Sequence, residues 1–141
     1  MHNEDITYTF DKNFTKDDVQ RLFLSVGWRS GQYPKRLYQA LMNSTAVATA
    51  KDGDRLVGLV RCLSDGFMLT YIHYVLVDPE YQERGIASKL LEMIKERYKD
   101  LFYIEVMPED KKNAAFYKKH GFALMTDGCA MQTVNNAMGD E

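Results

Sequence analysis

The stretch Val75-Leu76-Val77-Asp78-Pro79-Glu80-Tyr81-Gln82-Glu83-Arg84-Gly85-Ile86-Ala87-Ser88 constrains the fold of this chain more than any other. It begins in Phe67 to Val77, a long run of β-branched and aromatic residues with the profile of a central strand covered on both faces. Asp78-Pro79 stops that strand, because proline has no N–H to add to a ladder. It ends in Ile86 to Tyr98, where Ala87, Leu90, Leu91, Ile94 and Tyr98 recur on one stripe, the spacing of an amphipathic helix. A buried strand that feeds a helix in this way dictates an α/β architecture. It also leaves the helix's first N–H groups pointing into the crevice beyond the strand end. Gly85 and Ala87 keep that backbone bare and Arg84 adds charge without covering the amides, so the junction suits a phosphate or pyrophosphate.

The rest of the chain alternates in the same manner. Ile6 to Phe10 reads as a short strand, and Thr15 with Asp18 three residues on precedes a helix with Val19, Leu22, Phe23 and Val26 on its inner face. Gly27 ends that helix, and a glycine-flanked loop carries Trp28 and Tyr33. Pro34 opens a second helix that runs to about Asn43. Ser44 to Lys51 and Arg55 to Leu63 form a hairpin across Asp52-Gly53-Asp54, and Asp65-Gly66 makes the next turn. Phe102 to Met107 is another strand, Asn113 to His120 a short helix closed by Gly121, and a last strand is expected from Phe122.

Length and charge limit what such a chain can do. With 141 residues, one domain over residues 1–141 is expected, large enough for a core without metal or disulfide staples. Eighteen basic against 20 acidic residues give a net charge of −2, which offers no general attraction to nucleic acid or anionic lipid. No apolar run approaches the roughly 20 residues of a membrane helix. Cys62 and Cys129, with no leader-like segment, fit a reducing cytoplasm and small buried side chains. No histidine, cysteine or carboxylate spacing suggests a metal site.

The two familiar glycine-rich phosphate motifs are absent; what stands at the junction is Q-x-x-G-x-A, carried by Gln82, Gly85 and Ala87. Downstream lies Asn113-Ala114-Ala115-Phe116-Tyr117-Lys118-Lys119-His120-Gly121-Phe122. With both segments in order on the expected elements, the chain resembles the GNAT superfamily of N-acetyltransferases from roughly Leu56 to Phe122. The likeness is strongest to small bacterial members with a Gly-Trp loop after the first helix, as in Gly27-Trp28. The resemblance implies a six- or seven-stranded mixed sheet flanked by about four helices, with acetyl-coenzyme A in a gap between splayed strands. Its pantetheine arm would pair with main-chain groups of Val75 and Val77. The pyrophosphate would sit on the turn Gln82-Glu83-Arg84-Gly85-Ile86-Ala87-Ser88, with Asn113 and Phe116 on the opposite wall.

The implied reaction is acetyl transfer to a primary amine in a ternary complex. The N–H of Leu76 or Val75 would polarise the thioester carbonyl. Tyr117 matches the family's tyrosine and would serve the departing thiolate as acid. Tyr71 and His73, two residues apart and so on one face, are candidates for the base. At His73-Tyr74, relatives tend to carry an acidic or amide residue followed by aspartate, which leaves the inherited substrate open. Trp28, Tyr33, Phe67 and Tyr74 could wall the acceptor pocket with aromatic rings. His120 is expected to cap its helix, and one of Lys111, Lys112, Lys118 and Lys119 could meet the coenzyme's 3′-phosphate. A small-molecule amine is the favoured acceptor. A peptide or protein amine and a non-catalytic acyl-coenzyme A sensor are the alternatives, and edge strands near the C-terminus would let two copies pair as a homodimer.

Overall fold

The apolar periodicities become a five-stranded sheet with helices on both faces in the computed structural model, which describes residues 5–135. The strands are β1 (Ile6–Thr9), β2 (Ala46–Asp52), β3 (Arg55–Ser64), β4 (Leu69–Val77) and β5 (Tyr103–Val106), in that spatial order. The first four pair antiparallel and β5 joins β4 in parallel. The helices are α1 (Lys16–Ser25), α2 (Pro34–Met42), α3 (Ile86–Arg97) and α4 (Ala114–Lys119). Thr15 and Asp18 close a reciprocal capping box on α1, and Pro34 occupies the first turn of α2.

Strand alternation divides the core in two. Val60, Cys62, Ile72 and Val77 pack with Ile86, Leu90, Leu91 and Ile94 of α3 on one face. Leu56, Leu59 and Leu76 pack with Val19, Leu22 and Phe23 of α1 and Leu37 and Leu41 of α2 on the other. Gly58 lets α3 approach closely, since a Cβ there would lie 3.0 Å from Ile86 Cγ2 and 3.1 Å from Leu90 Cδ1.

Several expectations need correction. The sheet has five strands, not six or seven, because no strand follows Phe122 among the described residues. The chain turns back within that segment, Gly128 N–H donating to Met125 O at 3.2 Å, and no run remains for a ladder. The central strand begins at Leu69 rather than Phe67, since Asp65 Oδ1 captures the N–H groups of Phe67, Met68 and Leu69 and holds them in a turn. Nor is β4 covered on both faces: Tyr71 is half-buried and His73 exposed. Cys62 is buried, which pushes its thiol up to about 12, whereas Cys129 is exposed. No helix among the described residues is long and apolar enough to cross a membrane.

Asp78 fastens the strand–helix junction. Its carboxylate, 3% exposed, pairs with Arg21 at 3.2 Å and Arg55 at 3.1 Å and accepts from Glu80 N–H at 3.0 Å. Burial alone would raise its pKa, but the Glu80 N–H and the two guanidinium groups outweigh that and hold it below the ordinary carboxylate value. The stability this adds is present above the unfolded value of about 3.9 and is lost as pH falls through the lower folded value. Asp78→Ala is expected to cost about 2 kcal/mol in urea unfolding at pH 7. The difference from wild type should shrink below pH 4, and an equal difference at every pH would contradict the assignment.

Candidate active site

The ladder between β4 and β5 stops at Ile72–Val106, while β4 continues to Val77 against β3. Past Ile72 the two parallel strands therefore part, and one edge of β4 is left facing a gap. Hydrogen bonding shows which groups face it. Asp78 N–H donates to Val57 O of β3 at 2.8 Å, so Tyr74 and Leu76, of the same parity, also point their main chain at β3. Val75 and Val77 then point theirs into the gap, where the Val77 carbonyl accepts from Gln82 Nε2 at 3.0 Å. Leu76 is thereby excluded as the carbonyl-polarising donor, because its N–H belongs to the β3 ladder and its side chain is buried; Val75 is the gap-facing amide.

At the end of the gap the chain coils into α3. Glu83 and Gly85 both take positive φ, 64° and 80°, curling the backbone so that successive N–H groups converge. Gly85 is the N-cap, and a Cβ there would meet no heavy atom within 4 Å, so the space over the turn is open. Arg84 lies over the Tyr81 ring, 5.0 Å from its centroid, and donates to Glu80 O at 2.9 Å. Helix geometry leaves the N–H groups of Ile86, Ala87 and Ser88 without intrahelical partners. Bare amides, a cationic side chain and open space fit a pyrophosphate, and gap-facing main-chain groups fit an amide-bearing arm.

The opposite wall is α4. Tyr117 is buried, ringed edge-to-face by Phe116 at 5.1 Å and Phe122 at 5.8 Å, and burial pushes its phenol up to about 12. Asn113, exposed, ends the turn before α4. His120 does more than cap this helix. Its Nδ1 meets Glu92 Oε2 at 2.7 Å and its Nε2 meets Ser88 Oγ at 2.9 Å, tying α4 to the first turns of α3. Since a carboxylate only accepts, Nδ1 carries a proton and donates to Glu92.

Tyr71, His73, Glu105, Tyr117 and His120 border a cavity of about 920 Å³ that opens beside β5. Tyr71 and His73 share a face, with ring centroids 6.4 Å apart. A bulge at His73, where Arg61 pairs with Tyr74 and Cys62 with Ile72, brings Tyr74 onto that face too, 4.1 Å from the imidazole. Trp28 stands 5.8 Å from Tyr74, and Ser30 Oγ bonds the Tyr74 hydroxyl at 3.0 Å. Tyr33 is half-buried just before α2. Phe67 is not part of this wall: it is 83% exposed at the β3–β4 turn and makes no ring contact among the described residues.

Glu105 is a residue that sequence reasoning missed. Ile104 and Val106 pack toward α3, so Tyr103 and Glu105 face the other way, and Glu105 is in register with Tyr71. A half-buried carboxylate thus stands on the same sheet face as Tyr71 and His73. Among the described residues no group of three or more histidine, cysteine or acidic side chains is placed to hold a metal.

Comparison with known proteins agrees with this geometry. The Acetyltransferase (GNAT) family model matches residues 12–122. A GNAT-family acetyltransferase structure from Streptococcus pneumoniae is 32% identical and superposes with a TM-score of 0.80, covering 93% of this chain and 98% of that one. The chloroplastic GCN5-related N-acetyltransferase 2 of Arabidopsis thaliana is 30% identical over 89% of this chain and 56% of its own. A histone acetyltransferase of Glycine max is 32% identical over 79% of this chain and 53% of its own. The chain spans a little over half the length of these two curated relatives. The splayed strands and the glycine-capped turn accord with the family match across most of the sequence, and the chain belongs to the Acetyltransferase (GNAT) family.

Proposed function

We propose that this chain is an N-acetyltransferase that moves the acetyl group of acetyl-coenzyme A to the amine of a small molecule. The observation that carries the reading is the joining of three features at one place: the gap-facing edge of β4, the open turn at Gly85 and a cavity reached by Tyr117 and Glu105. Acetyl-coenzyme A supplies the activated acyl carbon. Val75 and Val77 hold the arm by main-chain hydrogen bonds, and the N–H groups from Gln82 to Ser88 hold the pyrophosphate.

The Val75 N–H stabilises negative charge as it develops on the thioester oxygen. Glu105 accepts the proton of the incoming amine, because an ammonium has no lone pair with which to attack. His73 is poorly suited to that task, since its Nδ1 already accepts from Arg61 Nη1 at 2.7 Å. Tyr71 and His73 instead border the amine's approach. As the N–C bond forms and the C–S bond breaks, Tyr117 donates a hydrogen bond to the leaving sulfur. Of the two protons the ammonium gives up, the first passes through Glu105 to solvent before attack, and the second, lost as the amide forms, ends on the thiol.

The cavity volume lies in the range of small-molecule sites. The test is an acceptor screen read as coenzyme A release with mass detection of the product. It includes small amines and, given the name of the Glycine max relative, a histone-tail peptide. Acetylation of small amines is expected, with Glu105→Gln slowing turnover by about tenfold to a hundredfold. Binding of acetyl-coenzyme A with no acceptor turned over would favour the sensor alternative instead.

A further inference from the structure

Arg61 projects from β3 on the same sheet face as His73 and Tyr74. Its guanidinium is held at three points: Nε donates to Ser44 Oγ at 2.8 Å, Nη1 to His73 Nδ1 at 2.7 Å, and the Tyr74 ring lies 5.6 Å from its centre. Ser44 is itself buried and fixed to Ala40 O at 2.6 Å, so the fork is anchored from behind. Among the described residues no carboxylate lies within ion-pair distance of Arg61, whereas Arg21 and Arg55 share Asp78. A half-buried guanidinium with no internal counter-charge is costly unless an anion arrives to meet it.

Guanidinium can only donate, so His73 Nδ1 must accept. Accepting there leaves the imidazole with its single proton on Nε2, and loss of solvent around the ring together with the neighbouring Arg61 charge moves its pKa below the ordinary value. His73 borders the cavity and Arg61 backs it. The imidazole therefore offers the cavity an N–H polarised by the guanidinium behind it. The charged and titratable groups facing His73 are Arg61 on β3, Tyr71 and Tyr74 on β4, and Glu105 on β5. Glu105 stands in register with Tyr71, two residues before His73 along β4, so the acceptor face is positive and donating on one side and negative on the other.

We propose that the acceptor is an amine that also carries a carboxylate a few bonds away, its carboxylate received by His73 Nε2–H with the Arg61 charge behind the imidazole, and its nitrogen by Glu105. This rests on the acetyltransferase reading and names the substrate class for the same site. His73 is then a binding donor, not a base. The half-and-half polarity matches a zwitterion, and it disfavours a plain alkylamine, which leaves Arg61 uncompensated.

Two measurements test it. The first compares kcat/KM within matched pairs, phenylalanine against phenethylamine and methionine against 3-(methylthio)propylamine. The carboxylated member is expected to be favoured by at least about tenfold. Arg61→Gln should bring the ratio close to one, and Arg61→Lys, which keeps the charge, should retain part of it. A ratio near one in the wild type, or one unchanged in Arg61→Gln, overturns the proposal. The second needs no turnover: 3-phenylpropanoate is titrated into the wild-type protein and into Arg61→Gln while the His73 imidazole is followed by NMR. A saturable change at His73 is expected in the wild type and a weaker one in Arg61→Gln; its absence from the wild type, or equal affinity in both, overturns the proposal. Failure of acetyl-coenzyme A to bind in calorimetry would instead refute the acetyltransferase reading and leave the titration to decide the anion site.

Discussion

Replacing Gly85 with leucine is expected to weaken acetyl-coenzyme A binding at least a hundredfold while the chain stays folded. The separation of the two effects comes from the geometry. Gly85 has φ of 80°, a left-handed conformation that costs an L-residue about 1–2 kcal/mol. A Cβ at this position meets no heavy atom within 4 Å, so the side chain itself displaces nothing in the protein. It would instead fill the space over the converging N–H groups of residues 83–88, where a phosphate has to come within hydrogen-bond distance. Gly85→Ala carries the same backbone strain with far less bulk. Its binding loss should be smaller than that of Gly85→Leu, although both lose similar stability. Calorimetric titration with acetyl-coenzyme A and urea unfolding of the same samples resolve the two quantities. Binding that survives Gly85→Leu would mean that the cradle lies elsewhere.

The turn that would form that cradle was legible in the sequence because it is local. A glycine after a strand stop and before an amphipathic stripe specifies its own conformation, as do the Thr15–Asp18 capping box and Pro34 at the start of α2. The shared face of Tyr71 and His73 follows from strand parity in the same way. Features that depend on register were hidden. The bulge at His73 has no composition of its own, yet it brings Tyr74 beside the imidazole and pairs Arg61 with that part of β4. Glu105 could be assigned a face from the alternation Tyr103-Ile104-Glu105-Val106. Only the parallel pairing of β5 with β4, however, sets it against Tyr71. His120 read as a helix cap because Glu92 and Ser88 are 28 and 32 residues away in sequence. The lack of a strand after Phe122 among the described residues and the exposure of Phe67 have a common origin. Apolar and aromatic content suggested strands, while turn bonds at Gly128 and Asp65 claimed the backbone first.

Tyr117→Phe is expected to lower kcat at least tenfold, about 1.4 kcal/mol of transition-state stabilisation, with little change in KM for acetyl-coenzyme A. The substitution removes one oxygen and keeps the ring, so the edge-to-face contacts with Phe116 and Phe122 that seat α4 are preserved. What is lost is a hydroxyl that burial holds protonated to about pH 12. A thiol titrates near 8.5, well below a phenol that burial pushes up to about 12, so complete transfer of its proton to the sulfur would be strongly uphill. In the proposed reaction Tyr117 would therefore donate a hydrogen bond to the sulfur as charge collects there and keep its own proton. A bond of that kind strengthens as the C–S bond breaks and is weak to the neutral thioester, which is why its removal should appear in kcat rather than in KM. The pH profile gives an independent check. If the phenol stays protonated to about 12, wild-type kcat should show no alkaline fall assignable to Tyr117 below pH 10, and Tyr117→Phe should lower the whole profile without moving its acid limb. Turnover unchanged in Tyr117→Phe would remove this residue from the reaction and leave the buried tyrosine a purely structural part of the α4 wall.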